Sequence, residues 1–224
     1  MPTRLFEAII FDHDGTLVDT ETPDFVACQI LCHEHGAELT LDYWAATIVG
    51  RFDGYERLFA EIIRPHNGRV SSAQLKQRLQ ELWTTTLADA ALMPGVLPLL
   101  QQLQDHSYPL AVATAAERFW VHRWLTHFNL WPFFRSVSCQ DDVINNKPAP
   151  DVYLHAAGQL GVNPSRCLVF EDTLVGVRAA KAAGMTVIGV PSHVTKSLDF
   201  GEAHAVINSL ADVNLEWIKN VTTA

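Results

Sequence analysis

From Met93 onward the chain alternates apolar runs with amphipathic stretches, and that alternation restricts the fold more than any other feature. Val96–His106 reads as helix, Leu110–Thr114 as strand, Glu117–Phe128 as helix and Ser136–Cys139 as a short strand. Asp151–Leu160 follows as helix, Cys167–Phe170 as strand, Leu174–Ala183 as helix and Thr186–Val190 as strand. Val206–Ile207 would be a last strand before a closing helix, and Leu5–Phe11, apolar around Glu7, a first one. Near-continuous apolar strands are buried on both faces, and alternating helices are what cover them. The expected fold class is α/β, a parallel sheet with helices on both faces.

The stretch from Thr20 to Leu92 breaks this rhythm, because no strand pattern shows there. Thr22-Pro23-Asp24 reads as a helix start, with Thr22 as N-cap, Pro23 at the first helical position and an acid in the first turn. That helix runs to about Gly36, a residue suited to a left-handed C-terminal cap. Further helical patterns cover 52–63 and 72–87, with Pro65-His66-Asn67-Gly68 breaking between them. The expected organisation is a catalytic core of residues 1–19 and 93–224 carrying an inserted helical cap, residues 20–92.

Hydrophobic residues make up 48% of the 224-residue chain, enough for a sizeable core. No apolar run reaches membrane-spanning length, and the N-terminus enters a strand without a signal-peptide pattern. A net charge of −9 with no compensating Lys/Arg cluster argues against non-specific nucleic-acid binding. Cys28, Cys32, Cys139 and Cys167 are scattered through expected helices and strands, which reads as reduced thiols and a cytoplasmic location.

A parallel sheet places ligands beyond the carboxyl ends of its strands, and polar residues collect there. Asp12 and Asp14 follow the first strand and lie on one side of extended backbone. By itself, Asp14-Gly15 also reads as an ordinary acidic turn. Thr114 follows the Leu110 strand, with Ala115 and Ala116 at a helix start offering backbone N–H groups to an anion. A loop after the Ser136 strand delivers Lys147, and Glu171, Asp172 and Thr173 follow the Cys167 strand. Such a set suits Mg²⁺, which takes few protein carboxylates together with water and phosphate oxygens. Asp12 and Asp172 would be its carboxylates, Asp14 a backbone-carbonyl ligand and Glu171 an acid acting behind them or through water. Lys147 would offset charge between nucleophile and phosphate, and Thr114, Ala115 and Ala116 would hold phosphate oxygens. Asp12 would attack phosphorus, while Asp14 would protonate the leaving alcohol and later take a proton from water.

Four segments carry a resemblance. Asp12-His13-Asp14-Gly15-Thr16, Ala113-Thr114-Ala115, Lys147-Pro148-Ala149-Pro150-Asp151, and Glu171-Asp172-Thr173 with Gly176 and Ala183-Gly184 stand in order over nearly the whole chain. In this the sequence resembles the haloacid dehalogenase-like hydrolase superfamily, in its helical-cap branch of the beta-phosphoglucomutase and phosphoglycolate phosphatase type. The resemblance implies a Rossmann-like core, magnesium dependence and a mobile cap closing over a small phosphorylated metabolite. His13, Ala116 and Thr173 depart from the residues usual in the family. The mutases of the family carry a histidine where simple alignment places Asp24, so hydrolysis is expected, with phosphomutase as the alternative. A non-catalytic phosphate-binding module on the same fold is the third reading.

Other candidates have plainer readings. His33 and His35 are two apart and diverge on a helix, so they do not form a metal tract. Trp120, Trp124 and Phe128 form a stripe expected to pack in the core, with a dimer contact as the other use of an exposed Trp. Arg51 falls where related caps carry a specificity loop, and so either meets substrate or stays on the surface. Glu117 and Arg118 are expected to face solvent, Asp141 and Asp142 to be loop acids. Lys76, the one cap lysine, sits poorly for Schiff-base chemistry. The expectation is a magnesium-dependent phosphatase of a small phosphorylated metabolite, a sugar phosphate first, working through an aspartyl phosphate. No nucleic-acid or membrane partner is expected; a monomer is, with a dimer left open.

Overall fold

The computed structural model describes residues 5–51, 53–66 and 69–221. Six strands form one parallel sheet: β1 (Ala8–Phe11), β4 (Leu110–Ala113), β5 (Ser136–Ser138), β6 (Cys167–Glu171), β7 (Thr186–Gly189) and β8 (Ala205–Val206). Their spatial order is β5-β4-β1-β6-β7-β8, every pair parallel. The chain builds outward from β1 through β4 to β5, then returns to its other side with β6, so the order reverses beside β1. Sheets of this kind leave a ligand crevice at such a reversal.

Alternation along each strand sends side chains to two separate cores. Ile9, Phe11, Val112 and Phe170 face one side with Leu99 and Leu103 of α5 (Val96–Asp105) and Val121 and Leu125 of α6 (Arg118–His127). Ala8, Ile10, Ala111 and Val169 face the other, against Val152 and Ala156 of α7 (Asp151–Leu160) and Val177 and Ala180 of α8 (Leu174–Ala182). Phe11 stacks on Phe170 at 5.3 Å between ring centroids, so truncating either would cost about 3–5 kcal/mol. A short α9 (Leu215–Asn220) closes the chain and buries Ile218 in the first core.

Between the two sheet segments lie α1 (Glu21–Glu34), α2 (Leu41–Thr47), α3 (Gly54–Ile63) and α4 (Ser72–Thr86). They pack around a cluster of their own, with Leu31, Trp44, Leu58, Ile62, Leu75 and Leu79 buried in it. Two-residue strands β2 (Val18–Asp19) and β3 (Ala91–Leu92) pair antiparallel where the chain leaves and re-enters the sheet region.

Several local expectations change. The first strand begins at Ala8 rather than Leu5, because its ladder with β6 starts at Ala8↔Cys167. The first helix starts before Thr22: Thr20 is its N-cap, and Asp19 accepts the Thr22 N–H at 3.0 Å. Gly36 does take the left-handed conformation past that helix, at φ +71°. Helix α2 and strands β2 and β3 answer to no expected element; seven and two residues give a periodic pattern too few repeats. Lys76 belongs to the fourth helix. Phe52, at the expected start of the 52–63 helix, and Asn67 and Gly68 of the expected break lie outside the described residues. Among the described residues no helix is long and apolar enough to cross a membrane.

Candidate active site

Register assembles the site. Phe11 pairs with Phe170, so Asp12, one step past β1, stands beside Glu171 at the end of β6, with Asp172 next. Lys147 arrives from the loop beyond β5 and donates to Asp12 Oδ1 at 2.6 Å and Glu171 Oε1 at 2.5 Å. Its Nζ sits 4.8 Å over the Tyr153 ring, whose hydroxyl also donates to Glu171 Oε1 at 2.8 Å. Glu171 Oε2 accepts from the Thr173 N–H at 2.9 Å and hydroxyl at 3.0 Å. Those four hydrogen bonds use the acceptor capacity of a carboxylate. Two glycines make room. A side chain on Gly176, in the first turn of α8, would strike Glu171, and one on Gly15, at φ +72°, would strike Asp172 Oδ2.

One oxygen each from Asp12, Glu171 and Asp172, all buried, lie within 4.8 Å of one another. Three carboxylates share a single ammonium, a net charge of −2 when all are ionised. Burial pushes Asp12 up to about 7, against the pull of Lys147 and with Glu171 adding to the rise. Burial, then the charges of Glu171 and Asp12, push Asp172 well above the usual carboxylate range. Burial works against the charged form of Lys147 too, but Asp12 and Glu171 outweigh it and hold the proton on. Asp172 Oδ1 accepts from Thr16 at 3.3 Å, while Oδ2 is buried with no hydrogen-bond partner among the described residues. Excess negative charge, oxygen donors and a stranded buried oxygen are what a hard divalent cation satisfies.

Asp14 points elsewhere. Its Oδ1 accepts from the Thr20 hydroxyl at 2.6 Å and from the indole N–H of Trp120 at 2.8 Å. Buried His13 brings Nδ1 within 3.1 Å of the same oxygen. Burial raises Asp14, but the neighbouring His13 ring and the hydrogen bonds from Thr20 and Trp120 outweigh it and leave the carboxyl below its ordinary value. The stripe packs as expected, Trp124 buried in the first core and Trp120 and Phe128 half-buried against it, but the Trp120 indole N–H also turns to the acid. A stripe at helical spacing carries no signal for this, since the partner lies 106 residues away.

The segment after β4 also differs from expectation. Thr114 is buried, but Ala115 and Ala116 form a turn ahead of α6, whose N-cap is Glu117. The Ala116 N–H donates to Thr114 Oγ1 at 3.1 Å, and Asn146 holds the Ala115 carbonyl at 3.1 Å. Asp141 and Asp142 are more than loop acids: Asp141 accepts the Arg118 N–H at 2.7 Å in the first turn of α6, and Asp142 pairs with the Arg118 guanidinium.

A cleft of about 480 Å³ opens from Asp14 toward the helical segment. Glu21 and Asp24 of α1, Lys76, Gln80 and Trp83 of α4, and Trp120 of α6 line it. Asp24 accepts from the Tyr55 hydroxyl at 2.5 Å and the Trp83 indole N–H at 2.7 Å, so it ties α1 to α3 and α4. Burial lifts Asp24 to about 6, with those donors pulling the other way. Arg51 lies apart, exposed and paired with Asp53 at 3.3 Å. His33 and His35 join no metal cluster among the described residues.

Comparison with known proteins agrees with this arrangement. The family model described as haloacid dehalogenase-like hydrolase matches residues 9–190. Protein YhcW of Bacillus subtilis is 33% identical over 211 residues, 94% of this chain and 95% of its own. The fructose-1-phosphate phosphatase YqaB of Escherichia coli is 32% identical over 187 residues, 83% of this chain and 96% of its own. Among solved structures, CbbY from Rhodobacter sphaeroides in complex with phosphate superposes with a TM-score of 0.76 at 28% identity, covering 95% of this chain and 99% of that one.

Proposed function

This chain belongs to the haloacid dehalogenase-like hydrolases and acts on phosphate monoesters, and from that premise we propose a magnesium-dependent phosphatase of a small phosphorylated metabolite, a sugar phosphate first. The observation that carries the reading is the buried set of Asp12, Asp172, Glu171 and Lys147, short of positive charge and joined through Asp14 to an open cleft.

The cation would be held by Asp12, Asp172 and the Asp14 carbonyl, with Glu171 behind them, since its lone pairs are engaged by Lys147, Tyr153 and Thr173. When bound, magnesium supplies the positive charge that keeps Asp12 ionised and screens the incoming phosphate. Lys147 fixes Asp12 Oδ1, which assigns the attack to Oδ2. That oxygen bonds to phosphorus as the ester P–O bond breaks, and the departing alkoxide takes a proton from Asp14. Water then attacks the aspartyl phosphate, gives its proton to Asp14 and releases inorganic phosphate and a free Asp12 carboxylate. Held below its ordinary pKa, Asp14 suits the second step; a phosphate dianion alongside it raises the carboxyl toward the protonated form that the first step uses. The Thr114 hydroxyl accepts from the Ala116 N–H and keeps its own O–H to donate to phosphate oxygens. Helices α1–α4 would serve as a cap, residues 20–92, that closes over the leaving group. The four free, buried cysteines fit a reducing cytoplasm.

Release of inorganic phosphate from a panel of sugar phosphates, with magnesium and with chelator, tests the reading. Turnover that ignores the chelator, or none on any phosphoester, would remove it. Isomer formed from a hexose 1-phosphate without net phosphate loss would favour the phosphomutase; Asp24, tied to Tyr55 and Trp83 where the mutases place histidine, speaks for hydrolysis.

A further inference from the structure

The walls of the cleft say what kind of alcohol the phosphate comes from, an inference that rests on the phosphatase reading and takes it further. Two indoles stand side by side there, Trp83 from α4 and Trp120 from α6, with ring centroids 6.5 Å apart and planes tilted by 51°. Each has its N–H committed to an acid, Trp83 to Asp24 at 2.7 Å and Trp120 to Asp14 at 2.8 Å. Their N–H groups are therefore occupied, and what the rings have left to offer a ligand is apolar surface. The Tyr55 hydroxyl is likewise engaged with Asp24. Exposed Phe119 adds another apolar ring at the rim.

Acceptors dominate the polar part of the lining. Asp14, Glu21, Asp24 and Glu117 all contribute carboxyl groups, against one cation, Lys76, and one amide, Gln80, among the described lining residues. A second phosphate or a carboxylate on the leaving group would find few donors and would sit beside Asp14 and Glu117, charges of its own sign. Sugar hydroxyls have the opposite character, since they donate to carboxylates, and the C–H face of a ring packs on indole. A cationic leaving group is the competing occupant of such a lining, with Lys76 the one like charge among the described lining residues, and phosphocholine tests for it.

We propose that the leaving group is an uncharged ring bearing hydroxyls, seated on Trp83 and Trp120 with its hydroxyls turned to the cleft carboxylates, and that a second anionic group on it is rejected. The test uses the purified full chain with magnesium and substrates paired by charge: glucose 1-phosphate with glucuronic acid 1-phosphate, and fructose 1-phosphate with fructose 1,6-bisphosphate. The uncharged member should lead its partner by at least about tenfold in kcat/KM. Glu117→Lys, an exposed change at the rim, should narrow that ratio severalfold, each sugar rate being read relative to the same variant's turnover of p-nitrophenyl phosphate. Equal or better turnover of the anionic members, phosphocholine outrunning both sugars, or a ratio that Glu117→Lys leaves unmoved would each overturn the proposal. So would turnover of p-nitrophenyl phosphate with none of the four sugars. Failure on every ester, p-nitrophenyl phosphate included, would instead overturn the phosphatase reading.

Discussion

The ends of β1 and β6 and the walls of the cleft are neighbours built on different terms. At the strand ends Asp12, Lys147, Glu171 and Asp172 are all buried, and Lys147 holds Asp12 and Glu171 by one short hydrogen bond each, at 2.6 and 2.5 Å. In the cleft, Lys76 and Glu117 are exposed and Glu21 and Trp120 partly so, on helices rather than strands. A group locked by register and burial has one position, so altering it removes a function. A group on a solvent-facing helix surface can change with little cost to the fold, so altering it shifts a preference. Chemistry and selectivity are thus separated by how firmly each is held.

The sharpest way to break this contrast is Asp12→Asn, which should lower turnover by a thousandfold or more while far-UV circular dichroism stays that of the native chain. Residual activity above that level would mean that another group attacks phosphorus. Next in size is Gly15→Ala. Both the positive φ and the approach of Asp172 Oδ2 oppose a methyl group there, so unfolding stability should drop by more than about 2 kcal/mol in a denaturant titration. A mild change in that titration would show that the turn can relax.

Trp120→Phe keeps a ring but removes a donor to Asp14. The Asp14 carboxyl should then titrate higher, and because the first step uses its protonated form, the basic limb of the kcat/KM profile should move upward in pH. Alkyl phosphates should show that shift in full and aryl phosphates less of it, because only the poorer leaving group depends on protonation. A profile that stays put would reduce Trp120 to a packing residue. Asp24 gives a subtler effect. Its carboxyl is raised from 3.8 to about 6, so the folded chain keeps a proton that the unfolded chain has lost in between. Stability from that proton is full below about pH 4 and is lost as pH rises through 6, on the order of 3 kcal/mol in all. Asp24→Asn lacks this loss, and its melting temperature should gain on the parent's between pH 4.5 and 7.5. Smallest of all is Arg51→Ala: with the guanidinium exposed and paired to Asp53, kcat/KM should change less than about threefold. A larger drop would bring Arg51 into the substrate complex.

Legibility in the sequence follows the same division. Strand ends could be read because an apolar run that stops on an acid announces both the burial and the group it delivers, as Ile9-Ile10-Phe11-Asp12 and Leu168-Val169-Phe170-Glu171 do. The indole N–H of Trp120 could not, since its periodicity is that of a core residue and its partner is set by how α6 lies against the β1 turn. The helix after Thr114 was legible to within a residue, expected from Glu117 and observed from Arg118, but the turn at Ala115 and Ala116 ahead of it was not, since two alanines carry no turn signal. The composition of the cleft was equally hidden, because α1, α4 and α6 each give it only a few residues.

Finally, β1 lies between β4 and β6, paired with both, and this central berth limits how the protein can vary. Adding or deleting one residue ahead of Asp12 while the ladders held would turn its carboxylate toward the opposite layer of helices. Length variation in this chain is therefore tolerable in outer loops and ruinous in the four residues before Asp12, a constraint imposed by geometry before any consideration of catalysis.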